Sequence, residues 1–499
     1  MSTSTTAVQT PDLAHKVLYI GGKWVQAEGG RRFETENPYT GKAWASIADA
    51  GVSDVDLAVK AARAALEGPW GKMTGGQRGR LMNKLADILE RDADEIAMIE
   101  TYDNGKLIRD ARWQVGLMAE WFRYFAGAAD KIDGTVMQDA NPEFFVYTRR
   151  EPIGVVAAIL PWNAPLLLMT WKLAPAMAAG CTFIAKPSEF TPSSALALAE
   201  CFAEAGFPAG VFNVLPSSSR DVPAALTQHE GVNKVAFTGS TATGVKAAQS
   251  AIAHLARVTL ELGGKSPQLV FEDADVEAAV NGLLRGIFSA TGQICHAGSR
   301  AFVQRPIYDK ILAKVVARAN TLKLGDPRLP ETELGPIATG PQFEKVKEML
   351  ARAKADGALA ACGGGPDESL GGYFIKPTVL TNVKPGDYIM REEVFGPVLC
   401  IMPFDTEEEG IALANDTRYG LASGLWTSDV RRVHRVAKRI RAGTVWVNAY
   451  RGVSPGVPFG GFGASGIGRE SGLEAINDYT ERKAIWIEMT GQTKDPFKL

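Results

Sequence analysis

Hydrophobic and polar positions change rhythm along the 499-residue chain. From residue 54 to residue 132, Ala, Leu, Arg, Lys and Glu dominate, and apolar residues recur at helical spacing around Leu81, Leu85 and Leu89. This predicts helices with one buried face. Phe144 to Thr148 is a short aromatic and β-branched run that predicts a strand. A different rhythm follows. Short apolar runs at Ile153–Ile159, Thr182–Ala185, Val211–Leu215, Lys234–Phe237 and Val258–Leu262 alternate with helical runs at Leu166–Ala179, Ser193–Ala205, Asp221–Gln228 and Ala242–His254. Strands without internal polar alternation, separated by helices, predict a parallel sheet covered on both faces, the doubly wound arrangement that binds nucleotides. Beyond Pro267 a second alternating region predicts strands at Gln268–Phe271, Arg300–Val303, Tyr373–Leu380, Val398–Phe404, Leu421–Thr427 and Thr444–Val447, with helices at Ile307–Leu322 and Val430–Arg441. Gly363-Gly364-Gly365-Pro366 predicts a surface turn.

Composition narrows the function classes. The chain is 46% apolar and 22% charged, with a formal net charge of −2 and no long basic run, so nucleic acid is not an expected partner. Its length suits two to four domains, at roughly 100–200 residues each. The first ten residues are polar, with no apolar core of a secretory signal. The most apolar stretch, Ile153 to Ile184, is broken by Pro161, Asn163, Pro165 and Lys172 and does not read as a membrane span. The five cysteines (Cys181, Cys201, Cys295, Cys362 and Cys400) are odd in number and scattered, which predicts free thiols in a reducing, cytoplasmic setting. The histidines have no metal-ligand spacing, so no metal is expected.

Four short segments carry candidate chemistry, and each has a plainer reading when taken alone. The turn from Phe237 through Gly239 and Ser240 to Gly244 suits a phosphate at a helix N-terminus, and equally an ordinary helix cap, because its spacing is Gly-x-x-x-x-Gly. Lys186-Pro187-Ser188-Glu189 follows a strand end, where an acid can accept from both ribose hydroxyls and repel a 2′-phosphate; a polar loop fits as well. In Pro161-Trp162-Asn163-Ala164-Pro165, two prolines fix a turn from which the Asn163 amide can donate to an oxyanion or simply close the turn. Cys295 lies among small residues, Gly292, Ala297 and Gly298, and Glu261 lies upstream in an apolar segment. A thiolate and a carboxylate base suffice to make a thioester and hydrolyse it, although a free cysteine is more often a buried inert one.

Together the segments resemble the aldehyde dehydrogenase superfamily. The resemblance rests on Pro161–Asn163, Lys186–Glu189, Phe237–Ser240, Glu261–Lys265, Gly292–Arg300, Glu393-Val394-Phe395-Gly396-Pro397 and Pro458-Phe459-Gly460-Gly461, in family order along nearly the whole chain. It implies an α/β fold: a Rossmann-like cofactor domain (residues 1–133 and 152–263), a second α/β catalytic domain (264–465) and a small β oligomerisation extension (134–151 and 479–499). It implies NAD-dependent oxidation of an aldehyde to the acid, with NADP admissible. Cys295 is the implied nucleophile, Asn163 and the Cys295 amide the oxyanion donors, Glu261 the base for water, and Lys172 with Glu470 a proton-relay pair. Lys186, Ser188 and Glu189 are expected at the adenosine ribose. Trp162, Phe237, Gly239, Ser240 and Leu262 are expected along the cofactor groove, and Glu393 and Phe395 at the nicotinamide ribose and ring. Where many relatives have a glycine-rich loop, this chain has Pro216-Ser217-Ser218-Ser219-Arg220, and Arg220 is either a 2′-phosphate contact or a solvated loop charge. The presence of Glu261 favours hydrolysis over transfer to coenzyme A.

By position, the substrate tunnel is expected near Ala164, Leu168, Trp171, Ile294, His296, Arg451, Val453 and Phe459. Alanine at 164, where many relatives have a ring, leaves room for an aromatic or bulky aldehyde; Arg451 suits a semialdehyde, or is an exposed loop charge. A homodimer or homotetramer is expected, through a strand near Phe144–Arg149 and a C-terminal strand at Ala484–Glu488. The alternatives left by the residues are a thiol-dependent hydrolase or acyl transferase without redox chemistry, and a non-catalytic protein on the same fold.

Overall fold

The computed structural model describes residues 11–138, 140–492 and 495–497. The polar segment 1–10, and with it the expectation about a secretory signal, lies outside the described residues, as do the outermost ends of the expected first domain and of the C-terminal extension.

The first alternating region forms a sheet whose parallel core runs, in space, Arg257–Glu261, Lys234–Thr238, Val155–Ile159, Thr182–Lys186 and Phe212–Val214. The chain starts at the central strand Val155–Ile159, winds outward one way through the next two, then returns to wind the other way. That reversal opens a crevice at the carboxyl ends of Val155–Ile159 and Lys234–Thr238, the place where doubly wound sheets take ligands. Each of these strands matches its expected run to within about two residues. The sheet is extended by elements the periodicity did not reveal. Leu18–Ile20 and Lys23–Val25 form an antiparallel hairpin on one edge, and Gly466–Ile467 pairs with Glu261 and Leu260 on the other. Strands this short carry too few residues to show an alternation.

Residues 54–132 fold as the helices Val52–Glu67, Gly75–Arg91, Ala93–Asn104 and Ile108–Ala128. The helix Pro165–Ala179 is apolar on every side and buried throughout. Pro165 opens it at a position whose N–H needs no partner, and Gly180 closes it in the left-handed conformation at φ +93°. This helix packs Trp171 and Lys172 into the interior.

The second region is also doubly wound, in the order Leu359–Cys362, Thr378–Thr381, Val398–Phe404, Arg300–Gln304, Pro267–Val270, Ala422–Trp426 and Thr444–Val447. One expected strand is shortened: the run Tyr373–Leu380 becomes Thr378–Thr381. Pro377 has no N–H to give a ladder, so pairing begins after it, where the Thr378 amide donates to Pro397 O at 2.9 Å. The helices Val276–Phe288 and Gly340–Ala355 were not separately expected.

In the third sheet the two extension strands lie side by side. Phe144–Pro152 pairs antiparallel with Thr480–Glu488 within one chain, in continuous register from Thr480↔Pro152 to Glu488↔Phe144. The edges left open are those of Thr480–Glu488 and Val136–Met137. Among the described residues, no helix is long and apolar enough to cross a membrane.

Candidate active site

The site is built where the two sheets face each other. Trp162 and Asn163 follow the central strand Val155–Ile159, while Gly239 and Ser240 follow its neighbour Lys234–Thr238. Ser240 caps the helix Thr241–Ile252, its hydroxyl accepting from the Thr243 amide at 3.3 Å. A Cβ at Gly239 would lie 2.7 Å from the Phe237 ring, so only glycine fits against that ring. These residues, with Glu261, Leu262, Glu393 and Phe395, line one solvent-open cleft with about 600 Å³ of empty space. Along this cleft the buried Thr238 Oγ1 has no partner among the described residues, a polar atom free for a ligand.

The far wall comes from the second domain. Glu393 Oε1 accepts from the Gly264 amide at 2.8 Å, and a Cβ at Gly263 would come within 2.4 Å of the Glu393 carboxylate. Phe395 holds a left-handed backbone, φ +57°, unusual for a bulky residue. Gln342 holds it there, donating to Val394 O at 2.8 Å and Phe395 O at 3.0 Å. The Phe395 ring stands edge-on to Trp162 across the cleft, with centroids 5.2 Å apart. Gln342 and Lys345, which also line the cleft, escaped the sequence reading; the signal available was the Thr339-Gly340-Pro341 helix start, with Thr339 Oγ1 accepting from Gln342 N.

Not every residue expected at the cofactor lines this cleft. Phe237 is buried beneath it, packed with Ala247, Leu260 and Leu262. Lys186, Ser188 and Glu189 lie one strand over, at the end of Thr182–Lys186, where Lys186 is in register with Ile159. Lys186 Nζ is 3.7 Å from Glu189 Oε2, and Ser188 Oγ donates to the same oxygen at 3.3 Å. In the glycine-free loop, the Ser217 and Ser218 hydroxyls donate to Asp49 at 3.0 and 2.7 Å, and Arg220 is exposed.

The segment bearing Cys295 is shaped by backbone strain. Ala290, Thr291 and Gly292 take left-handed conformations in succession, with φ of +48°, +57° and +68°. At Gly292 a Cβ would stand 2.2 Å from Gly396 O, so glycine is required there. Side-chain bonds secure the turn: Thr291 Oγ1 donates to Gly335 O at 3.1 Å, and Gln293 Oε1 accepts from Ala338 N at 2.8 Å. Strain stored this way is characteristic of sites that must hold a reactive group in place. Asn163 Nδ2 donates to Gln293 O at 2.8 Å, tying the proline-fixed turn to the Cys295 segment, and its second N–H has no partner among the described residues. The Cys295 thiol is held above its usual range, first by desolvation and then by the negative charges of Glu261 and Glu393.

Glu261 ends the strand Arg257–Glu261, beside Gly466. It is buried, and its Oε2 has no partner among the described residues. Burial, and then repulsion from Glu470, raise its pKa well above the carboxylate range. A carboxyl whose pKa is raised is a stronger base once ionised and is better suited to take a proton. Glu470 is ion-paired with Lys172, both buried. Burial raises the Glu470 pKa, and Lys172 opposes the rise. Breaking a buried pair strands a charge. Lys172→Met is therefore expected to destabilise the fold by about 3–5 kcal/mol, and Lys172→Met combined with Glu470→Leu to recover most of that loss; chemical denaturation of the three proteins checks both.

A second cavity begins at the same thiol. It is lined by Ala164, Leu168, Trp171, Ile294, His296, Arg451 and Val453, all expected from sequence, and has about 580 Å³ of empty space. Phe459 does not line it but braces it from behind, edge-on to Trp171 at 5.1 Å and to His296 at 5.7 Å. Lys106, Trp113, Gln114 and Leu167 complete the wall and were not expected. They come from, or just before, the helices Ile108–Ala128 and Pro165–Ala179, and no local motif marks them. His296 Nδ1 is 3.8 Å from Cys295 Sγ, and desolvation, aided by the charge of Arg451, holds its pKa down to about 3, so the ring is neutral.

Two doubly wound domains, with a thiol and a carboxyl where one cleft meets a second cavity, define a class of two-domain α/β proteins. The profile of the aldehyde dehydrogenase family matches residues 24–485. An aldehyde dehydrogenase of Emericella nidulans is 46% identical over 489 residues, covering 97% of this chain and 98% of its own. Aldehyde dehydrogenase family 2 member C4 of Arabidopsis thaliana is 44% identical, covering 96% of each chain. The NAD⁺ complex of the Bacillus cereus aldehyde dehydrogenase superposes with a TM-score of 0.94 at 44% identity, covering 95% of this chain and 97% of that one. The chain belongs to the aldehyde dehydrogenase family.

Proposed function

We propose that the protein oxidises an aldehyde to the free carboxylic acid with NAD, through an acyl group carried on Cys295. The observation that carries this is the meeting of the two cavities. Cys295, Asn163 and Leu168 belong to the walls of both, so an aldehyde entering from one side and a dinucleotide entering from the other reach the same sulfur. NAD, when bound, accepts a hydride and brings a positively charged ring that favours the thiolate. The cleft fits it: a helix N-terminus at Ser240 for the pyrophosphate, the unpartnered Thr238 hydroxyl, Glu393 for a ribose and the Trp162–Phe395 edge for the ring. Glu189, acidic beside Lys186 at the next strand end, favours NAD over a 2′-phosphorylated cofactor. The NAD⁺ bound by the Bacillus cereus relative points the same way.

The chain's own groups then divide the work. The Cys295 thiol gives its proton to water in the open cleft, a loss that a bound cofactor's positive ring would favour, and Glu261 is kept for the later step. The thiolate adds to the carbonyl carbon, and the second N–H of Asn163, with the Cys295 amide, receives the oxyanion; one such donor is worth roughly 3–4 kcal/mol at the transition state. Once the carbonyl is re-formed as a thioester, Glu261 takes a proton from water, and hydroxide expels the thiolate. Lys172 and Glu470 lie behind Glu261 to move that proton onward. The direct test incubates the protein with an aldehyde and NAD, and follows NADH absorbance together with the acid formed. A thiol hydrolase or transferase without redox chemistry forms no NADH, and neither does a non-catalytic protein.

We also read the three-stranded extension as the contact between copies. Its strands carry exposed Val136, Met137, Phe145, Trp486 and Ile487, and the open edge of Thr480–Glu488 invites pairing.

A further inference from the structure

We propose that the natural aldehyde carries a carboxylate at the end remote from the reacting carbonyl, and that Arg451 binds it; this rests on the aldehyde-oxidising role given above. Arg451 lines the cavity that begins at Cys295, yet its guanidinium has no hydrogen bond or ion pair among the described residues. Arg300, by contrast, is buried as a structural arginine should be: its nitrogens donate to the carbonyls of Lys265, Leu413, Ala414 and Asp416. An arginine left without protein acceptors in a half-buried cavity wall is poised for a ligand that supplies them.

The rest of the wall is consistent with an anion and offers no rival for it. Two further buried nitrogens of residues lining this cavity, His296 Nε2 and Trp171 Nε1, lack partners among the described residues, with residue exposures of 7% and 3%. Lys106 is already committed to Glu100 and Gln114. Of the other charged groups that bear on Arg451, Asp110 attracts it and Arg285 repels it, so the three together leave an excess positive charge. Leu167, Leu168, Ile294 and Val453 line the same cavity as Arg451 and Cys295, an apolar lining suited to the carbon spacer of a dicarboxylic semialdehyde and not to a second charge. A single planar guanidinium matches the two oxygens of a carboxylate, whereas a phosphate generally recruits more than one cation.

The experiment compares kcat/KM for succinic semialdehyde against butanal, and for 4-carboxybenzaldehyde against 4-methylbenzaldehyde, in the wild-type protein and in Arg451→Gln and Arg451→Lys. Wild type is expected to prefer the acid in at least one pair by tenfold or more. Arg451→Gln is expected to lower that acid-to-neutral ratio by about 10- to 100-fold, as loss of a charge-assisted hydrogen bond does, and Arg451→Lys to lie between. The ratio isolates the carboxylate from any general loss of activity, and the wild-type preference decides the matter even where a variant does not fold. NADH formation with both neutral aldehydes preferred, or a ratio unmoved in Arg451→Gln, overturns the proposal while leaving aldehyde oxidation standing. No NADH from any of the four compounds overturns the aldehyde reading itself, and this one with it.

Discussion

Replacement of Cys295 by alanine is expected to lower NADH formation by about 10⁵-fold or more, the scale on which loss of a nucleophile acts in acyl-transfer enzymes. The other four cysteines are buried in the cores, with burial holding their thiols above the usual range. None of them lines either cavity at the site, so none can substitute. The variant should retain NAD binding, because the groups facing the cleft (Ser240, Glu393 and Phe395 among them) do not depend on the sulfur. NAD titration followed by tryptophan fluorescence checks this. Unchanged turnover in the variant would remove Cys295 as the nucleophile.

The second large effect is expected at Glu261. Glu261→Gln keeps the shape of the side chain but cannot take a proton, so acyl transfer to the sulfur outruns its release. Rapid mixing should show a burst of NADH of up to one equivalent per active site, followed by a steady rate lower by about 10²–10⁴-fold. Acylated protein should be detectable by intact-mass measurement after quenching. In the wild-type protein the active form of this group is the carboxylate. Its pKa lies above the usual carboxylate range, so the hydrolysis rate should fall as pH drops through that raised value, at a higher pH than an exposed glutamate would give. Removing Glu470, the charge that most opposes ionisation of Glu261, should move that acid limb to lower pH. A hydrolysis rate flat across the range, or a variant that turns over normally without a burst, would assign the base elsewhere.

The roles given to Lys172 and Glu470 show how far local sequence carries. Lys172 sits in a helix whose other positions are apolar except Thr170, and a charge there has no local explanation. Its partner is 298 positions away in the chain, so the physical reason for tolerating it appears only when the loop bearing Glu470 folds back. The Glu470–Phe459 bridge, with N–O distances of 2.6 and 2.7 Å, holds that loop.

The doubly wound cofactor sheet was legible because fully buried parallel strands are apolar throughout and stand between amphipathic or buried helices, a pattern that any window of the sequence displays. The second domain was legible for the same reason. The candidate nucleophile, base and oxyanion donor were legible because each lies in a short segment of glycines, prolines and small residues that the backbone needs locally. What the chain's pattern did not determine was contact between segments far apart. Strand Thr480–Glu488 pairs within its own chain, Phe237 lies under the cleft wall, Gln342 holds Phe395 in a left-handed conformation, and Lys106 and Trp113 complete the substrate cavity. Each of these depends on distances between residues separated by tens or hundreds of positions, which propensity and periodicity do not encode. Packing the two sheets against one another decides them, and it is that packing which leaves Arg451 lining a cavity without an acceptor.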